Sequence, residues 1–101
     1  MELKGKDRRY LRSLANQLKE SVLISHSGPN ANELSKISSQ LKCDGLVKVR
    51  LHKALKSQRK DIAQMLASKT SSELIQLFGQ TVLLFQSHAN AKIKLNNELS
   101  D

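Results

Sequence analysis

From Leu46 to Leu51 the chain reads Leu-Val-Lys-Val-Arg-Leu, with apolar side chains interleaved with cations. Side chains two apart share one face of an extended strand, so this run buries one face and turns Lys48 and Arg50 outward on the other. A half-buried strand needs strand neighbours for its backbone and a helix over its apolar face.

The rest of the chain supplies both. Strand character bounded by breakers recurs near residues 21–25, 73–78 and 81–85. The last two runs are joined by Gly79-Gln80, a two-residue link beginning with Gly that signals a hairpin. Between the strands lie helical spacings. Tyr10, Leu11, Leu14, Ala15 and Leu18 form an apolar stripe over Lys6–Leu18, and Arg8, Arg12 and Lys19, four and seven apart, project beside it as a basic ridge. Asn30 and Glu33 have capping-box spacing ahead of Ala31, Leu34, Ile37, Ser38 and Leu41, and Asp44-Gly45 ends that helix. After a hydrophilic link from His52 to Ser57, a third helix runs from Gln58 to Lys69 with Ile62, Ala63, Met65 and Leu66 inward. The order α-β-α-β-α-β-β predicts an α/β fold, a four-stranded mixed sheet with three helices packed on it.

A single core of this kind suits 101 residues and one domain. Residues 3–86 are expected to form it, with 87–101 a polar C-terminal tail. Cys43 is the lone cysteine, so neither an internal disulfide nor a cysteine-based zinc site can staple the fold. No run reaches the roughly eighteen apolar residues of a membrane span, and no apolar stretch follows the charges of MELKGKDRRY. A cytoplasmic monomer without membrane contact is the expectation.

Charge narrows the partner. Lys and Arg number 17 against 9 Asp and Glu, a net charge of +8. Residues 1–60 hold 14 basic and 5 acidic side chains, a net of +9, whereas residues 61–101 hold 3 and 4. A basic half beside a near-neutral one is the footprint of a surface facing phosphates. Catalysis is poorly supplied: the acids are scattered, and His26, His52 and His88 lie on separate segments without metal-ligand spacing. No enzymatic activity and no cofactor are expected. The loop Ser25-His26-Ser27-Gly28, opening onto the second helix, could present amides and a positive dipole end to phosphate. Gly28-Pro29 could equally be only a turn, and the basic ridge only a solvated face.

Several blocks, in order, carry a resemblance. LKGKDRRYLRSLANQLK, with Arg8, Arg9 and Arg12, resembles the basic first helix of the YhbY-type CRM domain family, small bacterial proteins related to plant chloroplast splicing and ribosome-maturation domains. LVKVRL is similar to that family's second strand, and RKDIAQMLASKTSSELIQLFGQTVLLF to its third helix and closing hairpin. The resemblance spans roughly residues 3–86. It implies a fold akin to the C-terminal domain of the third translation initiation factor, and binding to structured RNA, with bacterial members associating with precursors of the large ribosomal subunit. The family's GxxG loop appears here as S-x-x-G, with Ser25 at the first Gly position and His26 where Lys is usual. That departure shifts weight to the helix ridge.

The RNA-binding residues so expected are Arg8, Arg9, Arg12, Lys19, Ser25, His26, Ser27, Gly28, Lys48 and Arg50. With Tyr10 expected inside and Phe78 and Phe85 in the hairpin, no stacking platform is foreseen, which favours recognition of RNA shape and backbone. Two other readings remain: an adaptor whose basic face binds an acidic protein, and a duplex-DNA binder, disfavoured for lack of a helix-turn-helix pattern. Because residues 88–101 hold few apolar side chains, their removal is expected to leave a single cooperative thermal unfolding transition. Loss of cooperativity by calorimetry would show that the tail belongs to the core.

Overall fold

The alternating run takes the sheet's interior. The computed structural model describes residues 3–87. Helix α1 (Gly5–Ala15) is followed by strand β1 (Val22–Ile24), α2 (Ala31–Asp44), β2 (Leu46–Leu51), a 3-10 segment (Lys53–Gln58), α3 (Arg59–Lys69), β3 (Glu73–Phe78) and β4 (Thr81–Phe85). The strands lie in the order β1-β2-β4-β3. β1 and β2 are parallel, as a helical crossover through α2 allows, and the other pairings are antiparallel. The α/β class, the element order and the four-stranded mixed sheet with three helices are those expected from the sequence.

Parity along each strand divides the apolar residues between two cores. Val22, Ile24, Val47, Val49, Leu51, Val82 and Leu84 meet Ile37 and Leu41 of α2 and Ile62, Ala63 and Leu66 of α3. Leu46, Ile75, Leu83 and Phe85, on the opposite face, meet Leu11 and Ala15 of α1. Two helices thus cover one face and a single helix the other. A register shift between Leu74 and Gln76 lets Ile75 turn to the α1 side while Leu74 and Leu77 pack on the larger core.

Tertiary contacts reset several local expectations. The first strand is shorter than 21–25, although the Ser21 amide already donates to the Lys48 carbonyl at 3.0 Å. That pairing draws the chain toward the sheet, so α1 stops at Ala15 and residues 16–18 continue as turns rather than helix. The supposed hydrophilic link after β2 is a 3-10 segment with Leu55 buried. Met65, expected inward, is exposed, whereas Ile62, Ala63 and Leu66 are buried as expected. Most of the expected tail, residues 88–101, lies outside the described residues.

Asn30 caps α2 as its spacing predicts, its Oδ1 accepting from the Glu33 amide at 2.8 Å. Gly45 closes the helix with φ of 84°, its N–H reaching the Leu41 carbonyl. A side chain in that left-handed conformation costs about 1–2 kcal/mol. Gly45→Ala is therefore expected to lower the unfolding free energy by about that amount in urea without changing the slope. Gly5→Ala, where an added Cβ meets nothing within 4 Å, is expected to be neutral or slightly stabilising.

Candidate nucleic-acid interface

The ten residues expected to contact RNA do not form one ridge. Arg8 and Arg12 share α1, but Lys19 lies beyond its end, in the exposed link to β1. The common helical projection of the three therefore fails at Lys19, because the chain has left the helix to reach β2. Arg8 is partly buried, and its Nη1 donates to the Leu74 carbonyl of β3 at 2.9 Å. It ties the helix to the sheet as well as carrying charge. The exposed positions of α1 are instead Gly5, Lys6, Arg9, Tyr10 and Ser13. Tyr10, expected in the buried stripe, lies at its border: the buried side of α1 is centred on Asp7, Leu11 and Ala15, which leaves Tyr10 37% exposed.

Lys48 and Arg50 do point to the α1 side of the sheet. Lys48 Nζ donates to the Ala15 carbonyl at 3.2 Å, placing a cation at the negative end of α1. Arg50 is more open. Its Nη1 meets Glu20 Oε2 at 3.4 Å with 57% of the side chain accessible, a surface pair worth at most about 1 kcal/mol. The same Glu20 oxygen accepts from Thr81 Oγ1 at 3.0 Å, so one carboxylate bridges β2 and β4. Lys6, Arg9, Lys19, Lys53, Lys56 and Lys60 are exposed and carry their charge into solvent.

The loop Ser25–Gly28 is a tight turn, with the Gly28 amide on the Ser25 carbonyl at 2.9 Å and Gly28 at φ of 91°. The sequence missed what lies beneath it. Buried Glu33 accepts the Asn30 amide on Oε1 and the Ser25 amide on Oε2, each at 3.0 Å. Its carboxylate occupies the positive end of α2 and one loop amide, so an incoming phosphate meets a seat already taken by negative charge. The capping-box spacing identified Glu33 as a cap, but its second bond to Ser25 depends on how the loop folds back. The His26 and Ser27 amides at the tip have no protein partner among the described residues. His26 packs edge-on against His52, with ring centroids 5.7 Å apart, and His52 Nδ1 accepts from the Ala54 amide.

Taken together, fold and surface define a small α/β scaffold that presents open basic faces. Among the described residues there is no group of three or more His, Cys, Asp or Glu placed to hold a metal, and no helix is long and apolar enough to cross a membrane. Residues 3–86 match the family described as the CRS1 / YhbY (CRM) domain, and the chain belongs to that family. It is 32% identical over 94 residues to Bacillus subtilis YqeI, named a probable RNA-binding protein, covering 92% of this chain and 98% of that one. A Haemophilus influenzae chain named RNA-binding protein is 26% identical over 93 residues, covering 92% and 94%. The solution structure of the hypothetical protein SAV1595 from Staphylococcus aureus superposes with a TM-score of 0.78 at 33% identity, covering 93% of this chain and 99% of that one.

The double duty of Arg8 generates a contrast. Arg8→Gln is expected to cost about 1 kcal/mol through the bond to Leu74, whereas Arg9→Gln should leave stability unchanged within about 0.5 kcal/mol. Chemical denaturation of the two variants side by side checks it.

Proposed function

We propose that this chain is an RNA-binding protein that docks on the backbone of ribosomal RNA during maturation of the large ribosomal subunit. The observation that carries the reading is the exposed, largely unpaired positive charge of residues 1–60: Lys6, Arg9, Lys19, Arg50, Lys53, Lys56 and Lys60 all face solvent. Membership of a family whose members carry RNA-binding names supports RNA as the polyanion. The ribosomal assignment rests on the resemblance to bacterial members that associate with large-subunit precursors. Residues 3–86 act as the binding domain, with 87–101 appended, and the protein works as a cytoplasmic monomer without catalysis.

Arg9, Arg12 and Lys19 make the leading phosphate contacts, with Lys48 and Arg50 extending the surface over the sheet. The Ser25–Gly28 loop approaches the backbone through its free tip amides, and Glu33 limits what that loop contributes. Arg8 adds charge but is held by Leu74.

Two measurements test this. The Arg9→Gln, Arg12→Gln, Lys19→Gln triple variant is expected to fold normally and to flatten the slope of log affinity against log salt, on ribosomal RNA fragments, by about two to three units. Unchanged affinity and slope would reduce these cations to a solvated surface. Tagged protein from lysate is expected to sediment with large-subunit precursors; migration with an acidic protein and no affinity for naked RNA would favour the adaptor reading.

A further inference from the structure

The sheet face that carries α1 is only half covered. Pairing registers arrange that face in rows across the strands. Leu46, Phe85 and Ile75 lie beneath α1. Lys48 pairs with Leu83, and Leu83 with Gln76, in the next row. The last row crosses all four strands, because Leu23 is opposite Arg50, Arg50 opposite Thr81, and Thr81 opposite Phe78. No helix lies over this row: Leu23 is 63% and Phe78 72% exposed.

Where the end of α1 stands over the uncovered rows there is an open groove of ≈ 260 Å³, its lining including Ala15, Glu20, Lys48, Phe78, Thr81 and Leu83. One wall is the last turn of α1 and the floor is sheet. An isolated exposed apolar side chain is ordinary on a protein surface. Phe78 differs because its ring borders a groove with an apolar floor, polar groups and the Lys48 cation, with Arg50 in the same row as Phe78, opposite Thr81. Lys48 spends one of its three N–H donors on Ala15, and Arg50 one of its five on Glu20, so both retain donors. At a strand spacing of about 4.8 Å, Arg50 and Phe78 sit two strands, about 10 Å, apart at their Cα atoms.

We propose that this half-face seats an unpaired nucleotide of the bound RNA. The base stacks on Phe78 over Leu83, with Gln76 and Thr81 within the groove as hydrogen-bonding groups, and the adjoining phosphates face Arg50 and Lys48. Lys48 and Glu20 line the groove and Arg50 stands beside it on Glu20. The half-face as a whole thus carries two cations against one carboxylate, which favours a nucleic acid over an uncharged apolar partner. A ring face stacks on any base, so the site discriminates unpaired from paired RNA rather than one base from another. The inference rests on the RNA-binding reading and adds to backbone docking a place for a flipped or single-stranded base.

The test compares Phe78→Ala, Phe78→Leu and Phe78→Tyr with the unaltered chain, on a single-stranded RNA of about ten nucleotides and on a fully paired duplex. Phe78→Ala is expected to weaken single-strand binding roughly 5- to 150-fold without changing the salt slope, and to leave duplex affinity unaltered. Phe78→Tyr, which keeps the ring, is expected to bind like the unaltered chain, and Phe78→Leu like Phe78→Ala. Equal single-strand affinity for all four chains overturns the proposal while RNA binding stands. Full affinity for Phe78→Leu also overturns it, since apolar contact would then suffice. Loss of self-association in Phe78→Ala with RNA affinity intact would make the face an interface between copies and overturn it too. If the unaltered chain binds neither RNA, the RNA-binding reading itself has failed.

Discussion

Strand β2 is the constraint on which the rest of the molecule depends. Its six residues pair with β1 on one side and β4 on the other, and its two faces serve two different purposes. Val47, Val49 and Leu51 enter the larger core with α2 and α3. Leu46 enters the smaller core beneath α1, Lys48 holds the end of that helix, and Arg50 emerges into solvent. Going along one face from Leu46 to Arg50 is therefore a passage from packing to binding surface. A slip of one residue would exchange the faces, burying both cations and exposing three apolar side chains. The cost of burying unpaired charge pins the register.

The same economy of side chains governs the basic surface. A cation that bonds a main-chain carbonyl helps to hold the fold, and it offers fewer donors to a ligand. Arg8 on Leu74, Lys48 on Ala15 and Arg59 on Lys56 are of this kind. The exposed cations of α1, of the link after it and of the 3-10 segment are not so engaged. At the opposite sign, Glu33 satisfies amides that a GxxG-like loop would otherwise present to phosphate. A buried carboxylate at a helix start stabilises the helix and repels an anion by the same field. The loop and the sheet face thus differ in what they can give: two tip amides in one case, the remaining donors of two long cations and an aromatic ring in the other.

Much of this was legible in the residues. The alternation in Leu46–Leu51, the Gly79-Gln80 link and the Asn30/Glu33 spacing each specify a local structure through sterics or a short-range hydrogen bond, and each is found where the spacing puts it. Errors fall where local preference is weak. Asn16 to Glu20 would continue a helix readily, yet Ser21 must reach Lys48, so Lys19 leaves the helix face. Tyr10 and Met65 sit at the borders of apolar stripes, where a small rotation of the helix decides between core and solvent. Phe78 follows strand parity onto the α1 side, but only the limited length of α1 leaves it uncovered.

By itself, the sequence determined the element types, their order, the two-faced character of the strands and the excess charge of residues 1–60, because these follow from the spacing of side chains and from counting. The tertiary structure alone decided the strand order β1-β2-β4-β3, which cations are spent on carbonyls, that Glu33 reaches the Ser25 amide, and that half of one sheet face stays open. Those outcomes depend on contacts between residues far apart in the chain, such as Arg8 and Leu74, 66 positions apart. Side-chain spacing along a chain sets which face a residue occupies, but not what another part of the chain will lay across that face.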